Sequence, residues 1–106
     1  MTYLMTHERI NEENHRYHNT GGISEQNRSS GFAPAFRDDE SGRAELSRFE
    51  NGLPAPIHLL EGAPEAWVVE RDLAGTVLAL KPSIIAGFLR DGRFYTREEA
   101  ATALVN

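Results

Sequence analysis

Large apolar side chains are scattered singly through the first thirty residues, at Tyr3, Leu4, Met5, Ile10, Tyr17 and Ile23, and recur in runs from Phe32 onward. This contrast predicts a flexible or partly helical polar arm over residues 1–30 and one compact domain over residues 31–106. The arm has too little apolar surface to offset the entropy of ordering it. Thr6 to Tyr17 fits one short helix, while Gly21-Gly22 and Ser29-Ser30 read as linker. The arm is therefore expected to be mobile in isolation and to order on binding.

Within the domain the pattern is one of strands and turns. Phe32–Arg37, the acidic turn Asp38-Asp39-Glu40-Ser41-Gly42 and Arg43–Phe49 read as a hairpin. Pro34 lacks an amide donor, which places its strand at a sheet edge. Asn51-Gly52, Pro54 and Pro56 impose an irregular extended stretch that ends in Ile57-His58-Leu59-Leu60. Pro64 opens a helical turn through Trp67. Trp67–Arg71 and Thr76–Lys81, joined by Asp72-Leu73-Ala74-Gly75, form the better hairpin signal and the expected centre of the sheet. Ile84–Leu89 fits a helical face or a strand, and Pro82, Gly87 and the β-branched pair favour the strand.

Thr96-Arg97-Glu98-Glu99 is a capping box that predicts a helix to about Leu104, with Ala100, Ala103 and Leu104 packed inward. The fold class is thus α+β, a small and mostly antiparallel sheet of about four to five strands with a C-terminal helix.

Composition narrows the picture. At 106 residues the chain holds one domain with a thin core, and it has no cysteine to brace it. That absence fits a reducing, cytoplasmic setting and excludes thiolate chemistry and Cys-ligated zinc. The N-terminus lacks the pattern of a signal peptide, and no stretch approaches the ~20 apolar residues of a membrane span. The net charge of −5, with Lys81 against ten arginines, disfavours direct nucleic-acid binding, which needs a basic face. A local stacking patch of Arg90, Arg93 and Arg97 around Phe94 and Tyr95 remains open.

Catalytic constellations are thin. His15 and His18 lie one helical turn apart, but two ligands do not make a metal site. His58, in an apolar run beside Glu61, reads either as a buried hydrogen-bonded histidine or as a base with a carboxylate partner. Ser41 and Ser47 sit in no nucleophile elbow. Glu70, Asp72 and Lys81 invite comparison with metal-dependent nucleases, yet the acid that pattern wants two residues before the lysine is Ala79. No phosphate-cradling glycine motif occurs. No enzyme activity, metal or cofactor is expected.

Gly31–Asp38, Pro54–Leu60 and the segment Gly87–Ala100 resemble short accessory proteins encoded by phages and other mobile elements of proteobacteria. In size, acidity and lack of cysteine and catalytic motifs the chain is similar in kind to anti-CRISPR proteins. That resemblance implies a small non-catalytic inhibitor that blocks a CRISPR effector complex by occlusion or partial nucleic-acid mimicry. Its contact residues are expected among Asp38, Asp39, Glu40, Glu70, Asp72, Trp67, Arg93 and Tyr95, with Phe36 as a further anchor. The alternatives are an accessory module of a mobile element, dimeric through a strand edge, and a metal-dependent enzyme.

Overall fold

The ambiguous run Ile84–Arg90 is a strand, and the larger sheet is built around it. The computed structural model describes residues 4–103, apart from the side chains of Glu25 and Gln26. In chain order the elements are β1 (Met5–Thr6), α1 (His7–Arg16), α2 (Ser24–Asn27), β2 (Ala33–Asp38), β3 (Ala44–Leu46), β4 (Val68–Arg71), β5 (Val77–Leu80), β6 (Ile84–Arg90), β7 (Arg93–Thr96) and α3 (Arg97–Ala103). Single 3-10 turns cover Arg28–Ser30 and Glu65–Trp67. All strand pairs are antiparallel. The chain is α+β, as the pattern predicts.

The strands divide between two sheets, β3-β2-β6-β7 and β1-β5-β4. The hairpin around Gly75 therefore belongs to the smaller sheet, and the centre of the larger one is the β2/β6 pair. β6 lies between two strands with Ile84, Ala86, Gly87 and Phe88 buried in succession. Burial on both faces produces a near-continuous apolar run, which is why its periodicity resembled that of a helix. Gly87 is held to glycine by packing: a Cβ there would lie 2.4 Å from the Phe94 ring.

Pro34 corrects an expectation, since its strand is interior. It pairs with Phe88 of β6 on one side. On the other side the Ser47 amide donates to its carbonyl at 2.8 Å. In antiparallel pairing a residue points its N–H and C=O toward the same neighbour, so the donor that proline lacks would have faced Ser47. Just there β3 has ended, and the Ser47 carbonyl takes the Ala55 amide instead, at 2.8 Å. The ladder loses nothing.

Residues on both sides of position 31 contribute to one core. The Thr6 side chain caps α1 by accepting the Arg9 amide at 3.1 Å, and the helix runs close to the span that the sequence predicts. Met5 pairs with Leu80 of β5. Met5 and Ile10 are buried in the main core with Phe36, Leu60, Trp67, Val77, Leu80, Ile84 and Ala86. A second cluster joins Phe32, Phe88 and Ala100 with Tyr95. At α3 the capping box forms both ways: the Glu99 amide donates to the Thr96 hydroxyl at 3.0 Å and the Thr96 amide to the Glu99 carboxylate at 2.9 Å. Those bonds hold the Glu99 carboxyl below its ordinary range. Ala100 packs inward as expected, Ala103 is exposed, and Leu104 lies outside the described residues. No described helix is long and apolar enough to cross a membrane.

Because Met5 is fully buried, Met5→Ala should cost about 2–5 kcal/mol, read as a lowered urea midpoint. Removal of residues 1–22 should abolish the cooperative melt; a melt unchanged by that deletion would show that the segment is not part of the folding unit.

Candidate functional site

The residues expected to meet a partner differ in burial and in what they are paired with. Asp38 is buried at the end of β2 and accepts hydrogen bonds from the Glu40 amide, the Ser41 hydroxyl and Lys81. Hydrogen bonding from Ser83, opposed by burial and helped by the Glu40 amide, Lys81 and Ser41, holds its carboxyl down to about 2. Glu40 binds the same ammonium at 3.2 Å, and these two carboxylates raise the pKa of Lys81. Asp39 pairs with Arg37 at 2.9 Å. Two cations from outside the acidic loop, Arg37 and Lys81, thus meet its three carboxylates and offset most of its charge.

Asp72 is exposed but turned onto its own hairpin, accepting the Ala74 and Thr76 amides at 2.9 Å. Glu70 is exposed on β4. Lys81 pairs with Asp38 and Glu40, so the nuclease-like trio is not assembled. Trp67 and Phe36 are core residues, each 2% exposed, which corrects their assignment as anchors. Among the described residues no group of three potential metal ligands comes together.

Charge and hydrogen bonding instead converge on a buried cluster. Arg97, in the first turn of α3, is 3% exposed. Its Nε donates to Glu13 of α1 at 3.1 Å, one Nη to the Gly22 carbonyl at 2.9 Å and the other to His58 Nδ1 at 3.2 Å. A guanidinium only donates, so Nδ1 of His58 accepts and its Nε2–H is given to the Gly87 carbonyl at 2.7 Å. Both ring nitrogens are spent and neither meets a carboxylate, so the histidine is a structural strut. Its ring lies edge-on to Phe36 and Phe88. Burial, reinforced by the charge of Arg97, lowers its pKa to about 3. Burial also lowers that of Arg97, against the attraction of Glu13.

The surface carries two other groupings. Arg90 and Arg93 face each other across the β6–β7 turn. Both stack on Tyr95, with guanidinium carbons 5.1 and 4.7 Å from its centroid. Arg90, Arg93 and Tyr95 are thus together with the guanidiniums on the ring, while Arg97 has turned inward and Phe94 lies under Arg37 at 4.7 Å. The second grouping is apolar: Phe49, Leu53 and Ile57 are 42, 61 and 50% exposed. Their loop is closely held. The Phe49 amide bonds to the Leu53 carbonyl at 2.8 Å, and Arg48 to the Gly52 carbonyl at 2.8 Å. Buried Ser47 donates to the Ile57 carbonyl and accepts the Leu59 amide, both at 2.8 Å. Sequence reasoning passed over this loop as irregular; its signal was large apolar residues inside a proline- and glycine-rich stretch.

No family model, curated protein or solved structure matches the chain.

Folded His58 binds a proton only near pH 3, whereas its unfolded form titrates near 6.5, so acid protonates the unfolded chain first. Stability should be full above that upper value and fall as pH drops toward the lower one, by up to about 1.4 kcal/mol per pH unit. Between about pH 5 and 6.5 Asp38 and Glu99 contribute little, because both titrate lower. Urea midpoints across that window should slope in the native chain and flatten in His58→Gln, whose amide also combines a donor group with an acceptor. Glu13→Ala should cost about 3 kcal/mol by stranding the Arg97 charge, measured at neutral pH.

Proposed function

We propose that the chain is a non-catalytic docking protein whose apolar contact is the loop carrying Phe49, Leu53 and Ile57. The observation that carries this reading is large apolar exposure on a loop already fixed by hydrogen bonds. A loop of that kind presents anchors with little ordering entropy left to lose on binding. Exposed apolar side chains carried together on a rigid loop mark a site where a partner protein can bury them. The pairing of Asp39 with Arg37 and of Asp38 and Glu40 with Lys81 offsets most of the loop's charge and argues for steric occlusion rather than nucleic-acid mimicry. The narrower reading, inhibition of a CRISPR effector complex, is supported by likeness in kind to small inhibitors of mobile elements.

Tagged protein expressed beside CRISPR effectors should retain one in stoichiometric amount and restore phage plating. Phe49→Asp with Leu53→Asp should leave the melting temperature nearly unchanged, as exposed substitutions do, and abolish both effects. Plating unchanged across several CRISPR subtypes would remove the inhibitor reading. Full partner retention by the double variant would remove this loop from the interface.

A further inference from the structure

Arg90 and Arg93, paired across the β6–β7 turn, and Arg28, on the 3-10 turn beside Arg90, define one strip of surface. Arg90 lies over Phe32, its guanidinium carbon 4.2 Å from the ring centroid, and over Tyr95; Arg93 lies over Tyr95 from the neighbouring strand. The stem of Arg90 runs beside Gly31, where a Cβ would meet Cδ at 3.7 Å. Gly31 closes the 3-10 turn that begins with Arg28, its amide bonded to the Arg28 carbonyl at 3.1 Å. The Arg28 guanidinium donates to the Pro56 carbonyl at 3.2 Å, next to Ile57. The strip thus reaches the apolar loop.

None of these three guanidiniums has a carboxylate within 4 Å among the described residues, whereas Arg9, Arg37, Arg43, Arg71 and Arg97 each have one. Directly opposed like charges on adjacent strands destabilise a sheet, and Arg90 with Arg93 is such a pair. Stacking holds both side chains in place, and Glu99, whose carboxylate feels the charge of Arg93, relieves part of the repulsion. A bound anion would relieve the rest, and immobilised guanidinium forks match a carboxylate in two parallel hydrogen bonds.

We propose that Arg28, Arg90 and Arg93 receive an acidic segment of the partner protein, beside the apolar contact at Ile57. The inference rests on the docking reading above and names its polar half. A nucleic-acid strand fits less well. Single strands are bound by stacking bases on open aromatic faces, and here Phe32 is 2% exposed and guanidiniums cover Tyr95. The groove that holds Arg93 and Tyr95 is also lined by Glu98 and Glu99, so an anion that continues along it is repelled, and a short acidic segment that ends on the arginines avoids them where a long phosphate backbone does not.

The test is a titration of the full isotope-labelled chain with a capped Glu-Glu-Leu-Glu-Glu peptide, read from arginine Nε–H resonances. Arg28, Arg90 and Arg93 should shift saturably with the Gly31 amide, while Arg16 and Arg48 stay still. Arg90→Ala with Arg93→Ala should weaken binding at least tenfold. Arg90→Lys with Arg93→Lys, which keeps the charge and spares the packing, should weaken it several-fold. Equal shifts at every arginine, no shift in the strip, or tighter binding of an oligothymidine or of inorganic phosphate would each overturn the proposal. Partner retention lost in the Phe49/Leu53 variant but intact in both arginine variants would remove this inference and leave the docking reading standing.

Discussion

A guanidinium taken out of water costs several kcal/mol unless its charge and its donors are met, and in this chain Arg97 is met by groups from separate stretches of sequence. Glu13 supplies the countercharge, Gly22 a carbonyl and His58 a ring nitrogen, and His58 passes the constraint to Gly87 in the middle of β6. None of these partners is a neighbour of Arg97 in the chain. The arrangement exists only when α1, the turn after it, the loop through His58, β6 and α3 are all in place. A thin core gains definition in this way, because an alternative packing would strand a buried charge.

The same constraint explains the two hydrophobic clusters. Phe36 belongs to one and Phe88 to the other, and the His58 ring touches both edge-on. An aliphatic residue at this position would fill the space but leave a donor on Arg97 and the Gly87 carbonyl facing it unmet. Polar satisfaction and apolar packing are here performed by one side chain. Kept neutral by its surroundings, it adds no second charge beside Arg97.

Local features were legible in the sequence where a few adjacent residues determine them. The Asp72–Gly75 turn, the capping box at Thr96 and the helix following Thr6 are set by contacts within five residues. Position in the sheet was not legible for Pro34, because what permits an interior proline is the end of β3 and an amide from Ala55, more than twenty residues on. The packing of the N-terminal segment was not legible for a related reason. Counting apolar residues undervalues a stretch whose Met5 and Ile10 are buried while Glu13 and Gly22 serve a buried cation elsewhere. Of the surface, Arg90, Arg93 and Tyr95 were readable because they share one hairpin. Arg28 joins them only through topology.

Net charge is a poor guide to what such a surface attracts. The Debye length is about 8 Å at physiological ionic strength, so a partner approaching the molecule senses total charge weakly and local charge strongly. Many of the acids are already committed: Asp38 and Glu40 to Lys81, Asp39 to Arg37, Glu13 to Arg97 and Glu45 to Arg43. Among the described residues the arginines around Phe32 and Tyr95 have no carboxylate within 4 Å, and only Arg93 feels one farther off, Glu99. An overall charge of −5 still opposes a long polyanion, whose field extends over many charges at once. It opposes a short acidic segment far less, because few of its charges lie outside the strip. Acidic composition and a cationic contact surface are therefore compatible, and together they select for short anionic partners over long ones.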